Sequence, residues 1–205
     1  MTTKSHADAA VLMSAFANGD RSAFRQLYLE QKDDLYRFVG RLLGSGLAPH
    51  VDDVFQETWM RVIRSSATWS PQGASFRTWL YTIASNCASD CFRKNGREPS
   101  LDAFDGHDGD PWEPEASPWQ HWPAPNARST EDVAFWRRAG ERLLSCLEEL
   151  PLAQKTVFLL HHDDGLPLEE IATHSTAGFE AVKSRLRYAM VKLRTCMGAY
   201  LEPSW

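Results

Sequence analysis

Apolar side chains recur every three or four residues through most of this chain, and the recurrence breaks off once, between Gly96 and about Thr130. That spacing is the period of an α-helix with one buried face, whereas a half-buried strand would alternate every second residue. The first block runs through Val11, Leu12, Ala15, Phe16, Phe24, Leu27, Tyr28, Leu35, Phe38, Val39 and Leu42. The second resumes at Val133 and passes through Leu143, Leu147, Leu150, Val157, Phe158, Leu160, Leu168 and Ile171 to the run from Val182 to Leu201. Asp20 before Arg21 reads as an N-cap, while Gly44-Ser45-Gly46 and Ser70-Pro71-Gln72-Gly73 stop helices. The marks predict helices near 8–18, 21–43, 50–68 and 75–95, then four more divided at Pro151, at Gly165-Leu166-Pro167 and at about 176–178. The expected fold class is all-α, with two small helical domains over residues 1–97 and 132–205 and no internal repeat.

The interruption reads as a linker over residues 98–131. Five prolines stand between Pro111 and Pro125, with acidic residues before and among them. Such a composition neither continues a helix nor builds a core, so an extended or disordered path is expected. Its tryptophans, Trp112, Trp119 and Trp122, are unusual for a spacer. Loose packing on a neighbouring domain and specific docking both remain open for them.

Charge follows the same division. Residues 1–97 carry 12 basic and 9 acidic side chains, residues 98–132 carry 1 and 9, and residues 133–205 carry 9 and 9. The net charge of −5 therefore belongs to the middle and does not argue against a polyanionic partner for either end. No apolar run approaches the roughly 20 residues of a membrane span, and the apolar stretch near the start is too short for an export signal. A cytoplasmic protein without membrane insertion is expected. The four cysteines, Cys87, Cys91, Cys146 and Cys196, lack the paired spacing of a zinc site, so reduced thiols are expected, with Cys87 and Cys91 one turn apart on a shared face.

The carboxy-terminal segment LPLEEIATHSTAGFEAVKSRLRYAMVKLR has the pattern of a short helix, a tight turn and a longer helix with a basic face. Val182, Leu186, Ala189 and Leu193 supply an inward stripe. Lys183, Ser184, Arg185 and Arg187 stand early on the second helix, with Lys192 and Arg194 on later turns. A recognition helix reads base edges with its early residues while flanking cations neutralise phosphates. A merely solvated amphipathic helix would carry the same pattern.

At these residues the chain resembles a family. LEELPLAQKTVFLLHHDDGLPLEEIA with VKSRLRYAMVKLR is similar to the carboxy-terminal domain of extracytoplasmic-function (group IV) sigma factors, which reads the minus-thirty-five promoter element. VDDVFQETWMRVIR, positions 51–64, and FRTWLYTIASNCASDCFRK, positions 76–94, are similar to the same family's amino-terminal domain, in the same order. The chain departs from the family at the turn of the reading motif, where His174, Ser175 and Thr176 replace an apolar pair and a glycine, and Gly178 comes slightly later. That departure puts the turn geometry and DNA affinity in question.

The resemblance implies an alternative sigma factor that binds core RNA polymerase and promoter DNA, needs no cofactor and is itself no enzyme. It also implies a cognate anti-sigma factor, since family members are commonly sequestered by one. Asp53, Gln56, Glu57 and Arg61 lie at three- and four-residue intervals on one helix. By resemblance that face docks on the polymerase, although an internal ion pair between Glu57 and Arg61 is an alternative use.

The loop Ser70 to Ser75, bracketed by Trp69 and Phe76, is by resemblance the pocket for a flipped minus-ten base. Unstacking costs a few kcal/mol, which polar edge-readers, aromatic walls and cations must offset. Ser70, Gln72, Ser75, Arg77, Tyr81, Asn86, Arg93 and Lys94 are the expected contacts, with Asn86 on a duplex edge. Trp79 and Tyr81, two positions apart, cannot face the same way, and Trp79 is expected in the core. The resemblance sends the acidic linker through the polymerase cleft, whereas a plain soluble tether would also be acidic.

Two rival classes are weaker. His161-His162-Asp163-Asp164 gathers metal-ligand types, but adjacent helical residues diverge and no second ligand group stands out. A stand-alone helix-turn-helix regulator would explain the second block and leave the DVFQETW and FRTWLY segments as accidents.

Overall fold

The computed structural model describes residues 3–70, 75–96, 130–175 and 177–200, and among them there is no strand. Gln72, the linker tryptophans and Thr176 lie outside the described residues. The α-helices are α1 Thr3–Ala17, α2 Arg21–Leu43, α3 Val51–Ser65, α4 Phe76–Lys94, α5 Thr130–Glu148, α6 Leu152–His162, α7 Leu168–His174 and α8 Phe179–Met197. Short 3-10 turns cover Ser45–His50, Ser66–Thr68 and Gly198–Tyr200. The first helix begins nearer the terminus than its apolar pattern suggests, and α5 begins at the last linker residues.

Local chemistry sets the breaks. Asp20 Oδ1 accepts from the Ser22 and Ala23 amides at 2.8 and 3.3 Å, satisfying donors that the first turn of α2 leaves open. Gly44 ends α2 at φ 65°, and its amide reaches the Gly40 carbonyl. A Cβ there would also meet the Glu148 side chain at 3.3 Å, so glycine serves both the backbone angle and the close approach.

In the amino-terminal half, Leu27, Leu35, Phe38, Val39 and Leu42 of α2 are buried with Val54, Trp59 and Val62 of α3 and Leu80, Tyr81, Ala84 and Ala88 of α4. Aromatic edges join them: Phe24 to Trp59 at 5.7 Å and Phe38 to Tyr81 at 4.7 Å between ring centroids. Truncating a fully enclosed leucine such as Leu35 or Leu80 to alanine would cost about 2–5 kcal/mol. The expected placement of Trp79 and Tyr81 is reversed. Tyr81 is completely enclosed, whereas Trp79 lies partly exposed on the flank, 6.0 Å from Phe76. Sequence spacing says that the two diverge, but only packing on α2 decides which one turns inward.

The carboxy-terminal half closes over Leu147, Val157, Phe158, Ile171, Val182, Leu186, Ala189 and Leu193, with Met190 and Met197 extending the expected stripe of α8. Here the expectation of four reduced thiols fails. Cys146 of α5 and Cys196 of α8, 50 residues apart, form a disulfide across a Cα separation of 5.9 Å. The pairing depends on α5 packing beside α8, which linear spacing does not reveal. Cys87 and Cys91 are free and buried, and burial raises both thiols.

The halves are in direct contact. Lys155 of α6 is buried and points its Nζ at the Leu42 carbonyl, 3.4 Å away, at the end of α2 where helix carbonyls lack partners. Glu148 accepts from the Ser45 amide at 2.8 Å and the Ser45 hydroxyl at 2.9 Å.

Candidate nucleic-acid interface

The turn of the reading motif uses no glycine in the left-handed backbone region. α7 ends at His174, and the Ser175 hydroxyl accepts from the Ala177 amide at 3.3 Å while lying 2.9 Å from the Ala177 carbonyl. A serine side chain thereby closes the turn that glycine would otherwise relax. Gly178, the residue before α8, has an ordinary φ of −65°, so its position uses no left-handed backbone. On α8, Lys183, Ser184, Arg185 and Arg187 are half-buried, and Lys192 and Arg194 are exposed. Arg187 lies over the Tyr188 ring, 5.1 Å from its centroid, which fixes a cation beside an aromatic plane.

On α3, Asp53 and Gln56 are exposed, whereas Arg61 has an internal role. Its guanidinium donates to Glu57 at 2.9 Å and to Asp90 of α4 at 2.7 Å. Those bonds hold both carboxyls below their usual range. The expected four-residue docking face therefore divides into an outward pair and an ion-paired Glu57 and Arg61, of which Arg61 ties α3 to α4 through Asp90.

At the start of α4, Ser75 is the N-cap and its hydroxyl accepts from the Thr78 amide at 3.2 Å. Trp69, Phe76 and Trp79 form an aromatic group, with centroids 6.5 and 6.0 Å apart. Ser70 and Asn86 are exposed, as are Arg93 and Lys94 farther along, with Arg93 paired to Asp90. Tyr81 is corrected as a DNA contact, because its enclosed ring leaves no face for a base. Burial and the neighbouring Asp164 carboxylate hold its phenol well above the ordinary range.

The expected reader Arg77 is turned toward the other half, donating to Asp164 at 2.7 Å. Burial lifts the Asp164 carboxyl, and Arg77 opposes that shift. Arg77 and Asp164 lie in a polar cleft of about 380 Å³ with Asp34, Arg37, Phe38, Arg41 and Asp163. Arg37 and Arg41 were missed by the sequence reading, although their four-residue spacing on α2 places them on one face. Among the described residues no cluster suits a metal ion, and none of the helices is long and apolar enough to cross a membrane.

Comparison with known proteins agrees with this layout. Residues 27–98 match the model of Sigma-70 region 2, and residues 140–193 that of Sigma-70, region 4. The ECF RNA polymerase sigma factor SigK of Mycolicibacterium vanbaalenii is 24% identical over 94% of this chain and 90% of its own. The ECF RNA polymerase sigma-E factor of Escherichia coli K12 is 27% identical over 86% of this chain and 87% of its own. In fold, the chain is similar to CnrH in its complex with the cytosolic domain of CnrY, with TM-score 0.63, 22% identity and coverage of 94% and 98% of the two chains. The chain belongs to the sigma-70 family. Within it, this is an alternative sigma factor of the extracytoplasmic-function type, a protein that directs transcription initiation.

Proposed function

We propose that residues 1–97 bind core RNA polymerase and open the minus-ten element, that residues 132–205 read the minus-thirty-five element, and that 98–131 links the two domains. The observation that carries this reading is the start of α4. An aromatic group, a capped helix N-terminus and Arg77 adjoin the loop beginning at Ser70. Stacking surfaces beside cations are what an unstacked strand requires. Asp53 and Gln56 dock the polymerase, with Glu57 and Arg61 bracing that face from behind. Ser70, Gln72, Ser75, Arg77, Asn86, Arg93 and Lys94 serve the melted strand and its flanking duplex. On α8, Lys183, Ser184 and Arg185 read bases, while Arg187, Lys192 and Arg194 hold phosphates.

The protein is not itself a catalyst, since the phosphodiester chemistry belongs to the polymerase, and it acts in the cytoplasm where that enzyme works. An anti-sigma partner is part of the proposal, supported by the fold neighbour CnrH, whose structure contains CnrY. Runoff transcription on genomic fragments tests the central claim. Core polymerase with this chain should give discrete promoter-dependent transcripts, and a failure to alter the products of core alone would refute it.

A further inference from the structure

Phe135, Arg142 and Cys146 of α5 all meet the stretch from Cys196 to Tyr200 that closes α8. Seven and then four residues apart, the three share one side of their helix. The Phe135 ring lies 5.6 Å from that of Tyr200, Arg142 Nε and Nη2 donate to the Cys196 carbonyl at 3.2 and 3.1 Å, and Cys146 is bonded to Cys196. The guanidinium sits where the last carbonyls of α8 lack helical partners and the helix dipole favours a cation.

Apart from this seam α5 is thinly packed. Among its described residues Ala139, Cys146 and Leu147 alone are buried, while Val133, Phe135 and Leu144 are exposed. By contrast, α6 buries most of its 11 residues. With so little apolar surface withdrawn from water, the first turns of α5 depend on the disulfide and the Arg142 fork for their place. The last turns of α8, which carry the exposed Lys192 and Arg194, are tied to the same seam.

The bond can be reached from one end. Cys196 is half-buried, whereas Cys146 is enclosed. The free thiols Cys87 and Cys91 are buried on α4, so an attacking thiol comes from outside the chain. Under the proposed function the protein works in the cytoplasm, where thiol pools reduce disulfides and those that do form are usually transient.

We propose that Cys146–Cys196 is a reversible thiol–disulfide exchange site whose reaction partner is a dithiol, and that its oxidised form holds α8 ready for the upstream promoter element. One thiolate of the dithiol attacks Cys196 Sγ; the protein S–S bond breaks, and its electron pair leaves on Cys146 Sγ, which takes up a proton. The second thiolate then attacks the partner's own sulfur in the mixed disulfide, and Cys196 Sγ leaves and is protonated. Two electrons and two protons pass to the protein while the dithiol becomes a disulfide, and the reverse sequence restores the bond. Once reduced, the first turns of α5 and the end of α8 must be ordered when DNA binds, a cost that the oxidised form has already met. The inference rests on the proposed role of α8 and adds a control on it.

The test has two measurements on the full chain. In the first, a dithiothreitol series is quenched by alkylation in denaturant and the peptides are mapped. The Cys146–Cys196 cross-link should disappear at dithiol concentrations that leave the helical circular dichroism unchanged. In the second, holoenzyme is assembled from core polymerase and either redox form after the dithiol has been removed. The oxidised form should bind promoter duplex about fivefold more tightly than the reduced form, and glutathione disulfide should restore the difference. C146S/C196S should bind like the reduced chain and ignore dithiothreitol, which separates this site from any effect of the reagent on the polymerase. In K192A/R194A the ratio between the redox forms should fall toward one. Reduction only where helicity is lost, or a redox response that persists in C146S/C196S, overturns the proposal. Promoter-dependent transcription with equal affinity for both redox forms overturns this inference alone, whereas its absence with the oxidised chain counts against the sigma-factor reading.

Discussion

Arg61 of α3 donates to Asp90 of α4 at 2.7 Å while its other edge holds Glu57, so a residue on the proposed polymerase face also fastens two helices together. The two uses separate by mutation. D53R/Q56A alters exposed positions and should weaken core-polymerase binding without moving the unfolding midpoint. R61E sets a third carboxylate beside Glu57 and Asp90 and should lower that midpoint as well. Affinity measurements on immobilised core, paired with thermal melts, check both, and normal core affinity in D53R/Q56A would remove those two residues from the interface.

Promoter reading by α8 divides in the same manner. K183A should relax preference at one base pair of the upstream element by about 1–3 kcal/mol. K192A and R194A should weaken all sequences alike and flatten the salt dependence. Competition binding across single-base operator variants, at two salt concentrations with holoenzyme, distinguishes the patterns. Uniform losses for K183A would move Lys183 from the base readers to the phosphate contacts.

His162 makes the fold acid-sensitive. Burial first, and His161 second, push its pKa down to about 4 from 6.5, and its ring lies 4.7 Å from Phe158. Between those values the unfolded chain takes up a proton that the folded chain refuses, so stability falls as pH drops through the window. The loss should reach about 2 kcal/mol at pH 5. Asp164, whose carboxyl is raised by burial, acts in the opposite direction. Comparing urea unfolding of wild type with H162N at pH 7 and pH 5 cancels the Asp164 contribution, and H162N should show a shallower decline.

The Cys146–Cys196 bond closes a loop spanning 50 positions around the reading domain. Restricting the unfolded chain over such a loop contributes up to about 4 kcal/mol in the chain-entropy account. C146S/C196S, or wild type with reductant, should therefore unfold at lower urea while keeping its helical circular dichroism. Identical midpoints with and without reductant would show that the bond adds nothing to stability.

The sequence by itself determined most of the helical elements on either side of the middle segment, and the caps of α2. Those features are local: a period of three to four residues, Asp20 before α2 and Gly44 after it. It also made the reading motif legible, because the inward stripe of α8 is set by spacing along one helix. What only the tertiary structure decided depends on which helices become neighbours. Tyr81 rather than Trp79 is enclosed because α4 presents that side to Phe38. Cys146 meets Cys196 because α5 lies along α8. Arg77, read locally as a free DNA contact, meets Asp164 only when the two halves close on each other, 87 residues apart in the chain. Helix periodicity carries no information about such distant contacts, since the same amphipathic faces are compatible with many packings until side-chain volumes and charges select one.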